Sequence, residues 1–382
     1  MTVPRWPVHP RPGPIESLSS WLERLAMVYH LPVKVLLEDL CADSGLNIRM
    51  ISSQVHDPPR AILVALADRT GVPVPRLATM TLSGWVPWLV DKQWPRDFEQ
   101  QEMFDNYVGR HSVLLLPGTI DRDIARRTKS RWDGPWLPYP RRPRACPVCA
   151  TDPDSGRALV WDLPLMISCV THRCRLERAG AVAIGDIAAP AAVDETVTTM
   201  DGYTYQALTT GLVRLPGRTV HAGVWFRLLR CLLEELCISR LACSARTGAT
   251  LETIWETIEL PMRGRIAMLE PYECLDPETQ ETLLRAAALA LRLAALRRIP
   301  ALGEFGPALV PARCRPGSPG NSPVPPYAPP RRHLLNPPRW WPAAPVQAGP
   351  PRDWSQVARR YALERGFPAW VFGGLTDEPG LD

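Results

Sequence analysis

The sequence predicts a mainly α, multidomain protein, with a small ribbon of short β elements in its middle and a helix-turn-helix-like region towards its N-terminal end. Three observations carry this. Apolar residues recur at helical spacing in several separate segments, cysteine pairs with two-residue gaps stand near the centre, and prolines divide the chain into blocks.

Leu18, Trp21, Leu22, Leu25 and Tyr29 follow a helical period, and Ser20 with Glu23 makes the S-x-x-E pattern of a capping box. Pro32 ends that helix and a short apolar one spans 33–40. After Pro58 and Pro59, a run containing Ala61, Ile62, Val64, Ala65 and Leu66 is closed by Gly71, and Pro73 and Pro75 start the next element. The pair over 60–82 fits a helix-turn-helix or a plain helical hairpin, with Arg76 a candidate DNA contact in the first case.

Between Gly84 and Pro143, Trp85, Trp88, Trp94, Trp132 and Trp136 are spread among prolines, around one strand-like run, Ser112 to Leu116. Arg126, Arg127, Lys129, Arg131, Arg141, Arg142 and Arg144 interleave with Trp132, Trp136 and Tyr139. Such a cluster reads either as a solvated loop or as a surface for a nucleic-acid backbone.

Further on, Trp225, Leu228, Leu229, Leu232, Leu233 and Leu236 share one face of a core helix in the segment 225–243. Helical periods return over 251–260 and 278–298, the second alanine-rich with Arg285 and Arg292 on one side. From Pro300 to Pro351 the proline density has the composition of a linker. A modest helical pattern follows at 354–365, and then an apolar cluster, Phe367, Trp370, Val371 and Phe372, expected to dock on its own protein or on a partner. The blocks divide as 1–130, 131–190, 191–299 and 300–382.

The net charge of +5 comes almost wholly from arginine, since only Lys34, Lys92 and Lys129 are lysines, and it permits phosphate contact without demanding it. The proline-studded N-terminal stretch has no apolar core of a secretory signal, so a reducing cytoplasm is expected for the ten cysteines. The most apolar stretches, 179–193 and 283–296, are broken by Asp186 or by Arg285 and Arg292, so no membrane span is expected.

One constellation has definite chemistry. Cys146-Pro-Val-Cys149 is followed, after nineteen intervening residues, by Cys169-Val-Thr-His172, which is zinc-ribbon spacing. Each two-residue gap turns tightly enough to aim two donors at one point, and four donors close a tetrahedron without a water position, so the zinc would be structural. Cys174 stands two residues past His172 and is an alternative fourth ligand. Cys41, Cys231, Cys237, Cys243, Cys274 and Cys314 lack the paired spacing and read as packing residues. Asp121, Asp123, Asp152, Asp154 and Asp162 show no spacing that selects a metal set. A Gly-Lys dipeptide, a G-x-S-x-G elbow and an H-E-x-x-H helix are all missing, which excludes a P-loop hydrolase and leaves catalysis without an anchor.

Three stretches together resemble the TniQ family of transposition proteins. Residues 14–26, Pro-Ile-Glu-Ser-Leu-Ser-Ser-Trp-Leu-Glu-Arg-Leu-Ala, are similar to its opening "ESL-SWL-RLA" signature. Residues 66–82 resemble its second helical segment. Cys146, Cys149, Asp152, the run Trp161-Asp-Leu-Pro164, Cys169, His172 and Leu176 resemble its zinc ribbon. The resemblance covers roughly 14–180 and implies a non-catalytic adaptor for target selection, working with a AAA+ transposition ATPase (TnsC/TniB-like) and a separate transposase. Some members join a CRISPR effector complex to that machinery and others recognise DNA directly; a homodimer is compatible with either. A zinc-containing helix-turn-helix transcriptional regulator is the alternative.

Overall fold

The first helix, α1 (Leu18–Val28), turns Leu18, Trp21, Leu22, Leu25 and Ala26 to the interior. It begins after Ser17, whose backbone is extended and whose Oγ accepts from the Ser20 amide at 3.2 Å. The cap is therefore Ser17, and the expected Ser20–Glu23 box does not form: Ser20 lies one turn inside the helix and donates to Glu16, while Glu23 pairs with Arg157. A computed structural model of the chain describes residues 5–42, 58–85, 112–116, 143–152, 154–186, 189–238, 243–260, 272 and 275–311.

Helix α2 (Val33–Ala42) adds Leu36, Leu37, Leu40 and Cys41 to the same interior. Helix α3 (Arg60–Thr70) contributes Ile62, Leu63 and Leu66 and stops at Gly71, whose φ of 72° is the left-handed closure that glycine makes without strain. Pro73 then leads into α4 (Val74–Ala78), one short turn of helix that buries Leu77. These helices enclose a core with Trp6 and Met80. Trp6 is held by its amide on Arg69 O at 2.8 Å and by its indole on Asp39 at 3.1 Å.

A second core runs from Leu82 to Leu309 and includes the cysteine-bearing ribbon together with the C-terminal helices. The ribbon's base is an antiparallel pair, β1 (Arg144–Ala145) and β2 (Glu177–Arg178), with Arg144 opposite Arg178 and Ala145 opposite Glu177. The apolar stretch that follows yields only α5 (Ala179–Ala183), and Ile184 is exposed. Helix α6 (Glu195–Thr210) is capped by Asp194 and closed by Gly211 at φ 73°. A tight antiparallel pair, β3 (Leu212–Arg214) and β4 (Thr219–His221), turns the chain into α7 (Ala222–Leu236). The core helix expected over 225–243 thus starts three residues earlier and ends at Leu236.

Helix α8 (Ala245–Thr257) starts at Ser244, and α9 (Pro277–Ala295) starts at Asp276, each side chain accepting amides of the first turn. Ala286, Ala287, Ala290 and Ala294 are fully enclosed, so α9 lies close against α6 and α7. Arg285 on its outer side pairs with Glu281 at 2.7 Å. A final short helix, α10 (Gly306–Leu309), packs beside it. The architecture is mainly helical with a few short strands, as expected, and among the described residues no helix is long and apolar enough to cross a membrane.

The run 112–116 is not a strand. The amides of Val113 and Leu114 donate to the carboxylate of Glu235 on α7, at 2.7 and 2.8 Å, while its carbonyls accept from Leu302, Gly303 and Phe305. Its backbone groups are thus satisfied by two distant segments instead of a ladder partner. The segments 126–142 and 312–382, with the basic cluster, the proline-rich block and the tail helix expected there, lie outside the described residues.

Candidate metal centre

Two short turns bring the four paired residues together. Cys146 follows β1, and the Cys149 amide donates to Cys146 Sγ at 3.3 Å while Ala150 N reaches Cys146 O at 3.0 Å. The second turn closes a small hairpin: Cys169 N donates to Cys174 O at 2.9 Å, Arg173 N to Cys169 O at 2.7 Å, and Ser168 bridges Arg175. Arg173 takes the left-handed φ of 52° that this reversal requires.

The ligand atoms of Cys146, Cys149, Cys169 and His172 all lie within 4.8 Å of one another. His172 offers Nδ1, which stands 3.5, 3.3 and 3.6 Å from the sulfurs of Cys146, Cys149 and Cys169, and Cys149 Sγ is 3.8 Å from Cys169 Sγ. A tetrahedral ion with Zn–S about 2.3 Å and Zn–N about 2.0–2.1 Å puts its ligand atoms about 3.8 Å (S···S) and about 3.6 Å (S···N) apart. The donor set and its edges therefore fit one zinc. Hydrogen bonds from Cys149 and Cys169, with the Cys149 amide, draw the Cys146 thiol down. Cys146 and Cys169 are buried, Cys149 is half-buried and His172 is exposed, so the site opens on its histidine edge.

Cys174 occupies a different place. Its sulfur is buried 3.5 Å behind Cys146 Sγ, outside the group of four, and burial pushes its thiol up. Either sulfur of the Cys146–Cys174 contact can donate to the other.

The approach to Cys169 is held from two sides. Arg144 on β1 donates to Met166 O at 2.5 Å and Leu163 O at 3.1 Å, and Tyr272 Oη donates to Pro164 O. From α6, Asp201 Oδ2 accepts from Ile167 N at 3.2 Å, Ser168 N at 2.7 Å and Ser168 Oγ at 2.6 Å. Burial raises the Asp201 carboxyl to about 7.

The N-terminal signature clasps the ribbon. Ser17 N donates to Arg157 O at 2.9 Å, Leu159 N to Ile15 O at 2.8 Å and Arg157 N to Ser20 Oγ at 2.8 Å. Glu23 receives both Nη1 and Nη2 of Arg157, at 2.6 and 3.1 Å, and Arg24 donates to Asp154 O at 2.6 Å. Glu16 is enclosed at the centre, accepting from Gly13 N and Ser20 Oγ beside Arg24, and burial raises its carboxyl. A Cβ on Gly156 would stand 1.9 Å from Glu16 Oε1, so only glycine fits there.

The candidate DNA contacts fall in two groups. Arg126, Arg127, Lys129, Arg131, Arg141 and Arg142 lie outside the described residues. Arg76 and Arg144 are described, and both direct their guanidinium groups at backbone: Arg76 donates to Gly13 O and to Pro14 O at 3.0 Å. With α4 only five residues long and Arg76 engaged at the clasp, the 60–82 pair does not favour a groove-reading regulator. Sequence reasoning missed Asp201 and Glu235. Asp201 had a visible signal, because it falls on the same helical face as Val197, Thr204 and Leu208.

The described chain is thus a mainly helical protein whose Cys3His donor group is braced by the N-terminal helix signature on one side and a buried aspartate on the other. The TniQ family model matches residues 7–176, which take in the N-terminal helices, the clasp and all four cluster residues. Over these residues the chain carries a TniQ domain. Among curated proteins and solved structures nothing matches significantly.

Proposed function

We propose that this chain is a non-catalytic accessory protein of DNA transposition that acts in target-site selection. It bridges target DNA, or a target-recognition complex, to a AAA+ transposition ATPase and a separate transposase. Cys146, Cys149, Cys169 and His172 hold one structural zinc, whose chemistry is to fasten the ribbon, since a filled tetrahedron has no position for a reacting water. The observation that carries the reading is the TniQ match over 7–176, within which the four donors meet at tetrahedral spacing. Around that ion the chain's own residues position backbone: Asp201 and Arg144 set the segment 163–168 before Cys169, and Glu16, Ser20 and Arg157 join ribbon to helices.

The expected outcome is ATP-dependent co-purification with a AAA+ transposition ATPase from the same source, and no nuclease or strand-transfer activity by the chain alone. Strand transfer by the isolated protein would overturn the adaptor reading.

A further inference from the structure

A cavity of about 730 Å³ lies between the start of α8 and the loop after α9, and none of the four donor residues lines it. Its apolar lining includes Ile299, Pro300, Leu302 and Val310, and its charged lining is wholly cationic, Arg246, Arg297 and Arg298, beside the hydroxyls of Thr250 and Thr253. Among the described residues no carboxylate pairs with these three arginines, and no acid lines the cavity. Arg297 donates to Pro311 O at 2.5 Å, so the last described residue, 311, is held at the cavity's rim beside Val310.

The sequence after that point contains one stretch with matching chemistry. Residues 312–365 carry nine arginines and one histidine against two acids, Asp353 and Glu364, whereas 366–382 have no cation at all. That last stretch combines Trp370, Val371, Phe372 and Leu375 with Asp377, Glu378 and Asp382. An apolar anchor followed by acids complements an apolar floor rimmed by arginines. Reach does not limit the pairing, because the many residues between 311 and 370 leave ample chain length and the tether keeps the effective concentration high.

We propose that the segment 370–382 of this same chain docks in the cavity lined by Arg246, Arg297 and Arg298, its aromatic residues on Ile299, Leu302 and Val310 and its acids on the arginines. The occupied cavity fastens this segment between α8 and the loop after α9.

The test uses the full chain with a photo-crosslinking amino acid in place of Phe372. Irradiation is expected to join it, within one molecule, to the segments 249–253 or 299–302. The paired change Arg246→Glu with Arg298→Glu should lower the yield about fivefold to tenfold, the scale of two exposed ion pairs. Adding Asp377→Arg and Glu378→Arg to that background should restore it. Both arginines are exposed, so unfolding is not expected, and an unchanged far-ultraviolet dichroism spectrum checks this. Crosslinks to another surface, crosslinks between isotopically distinct copies, or a yield indifferent to the charge reversal would each overturn the proposal.

Discussion

Asp201 carries three donors on one carboxylate oxygen and none on the other, in a fully enclosed position on α6. Its carboxyl is raised to about 7, and that of Glu235 to about 8, in both cases by burial. Between the unfolded values near 4 and these raised values, the folded chain binds more protons than the unfolded one, so stability falls as pH rises through that window. Asparagine at 201 keeps one acceptor oxygen for Ile167 and Ser168 but does not titrate. With saturating zinc, ligand deprotonation makes the metal contribution rise with pH in every variant, so the Asp201 contribution is read by difference: from pH 5 to pH 8 the unfolding midpoint of Asp201→Asn should have a more positive slope than that of the wild type. An unchanged slope would mean that Asp201 is not held protonated. The four cluster residues were legible in the sequence because their spacing is local to each turn. The choice between His172 and Cys174 was not, since it depends on which side chain the reversal at Arg173 turns towards Cys149.

The helices were legible wherever an apolar face repeats, as in α1, α2, α7 and α9, because the period reports which side is buried. Their starts were less so. Ser17 and Ser20 both offer a hydroxyl before an apolar run, and which one caps is decided by Glu16 and Arg157, which take Ser20 for the clasp. Ser17→Ala should cost about 1 kcal/mol, the usual loss of an N-cap. At the clasp itself, Gly156→Ala forces a methyl into the Glu16 carboxylate and should cost about 1–3 kcal/mol. Thermal or urea unfolding measures both, and a neutral Gly156→Ala would remove the tight contact from the account. The segment 112–116 reads as a strand from its own residues, and nothing local announces that its amides go to a carboxylate more than a hundred residues away.

At the scale of the whole molecule, the ribbon and the C-terminal helices share one buried core while the first four helices enclose another. The ribbon lies between them, joined to the first by the clasp and to the second by Asp201, Arg144 and Tyr272. Metal binding is then expected to couple to the order of α6, because the segment leading to Cys169 is held by Asp201 of α6 and by Arg144. Chelation should increase amide exchange in 163–176 and also in the facing turns of α6, while the core around Trp21 and Leu66 changes less. Equal deprotection of both cores would argue against separate units.

The most direct test of the central claim is the metal content of the purified full chain, with and without Cys149→Ser. The account predicts about one zinc per chain in the wild type and little retained by the variant, with loss of the cooperative unfolding of the ribbon. A wild-type chain that folds fully, keeps its stability in a chelator and carries no metal would contradict it.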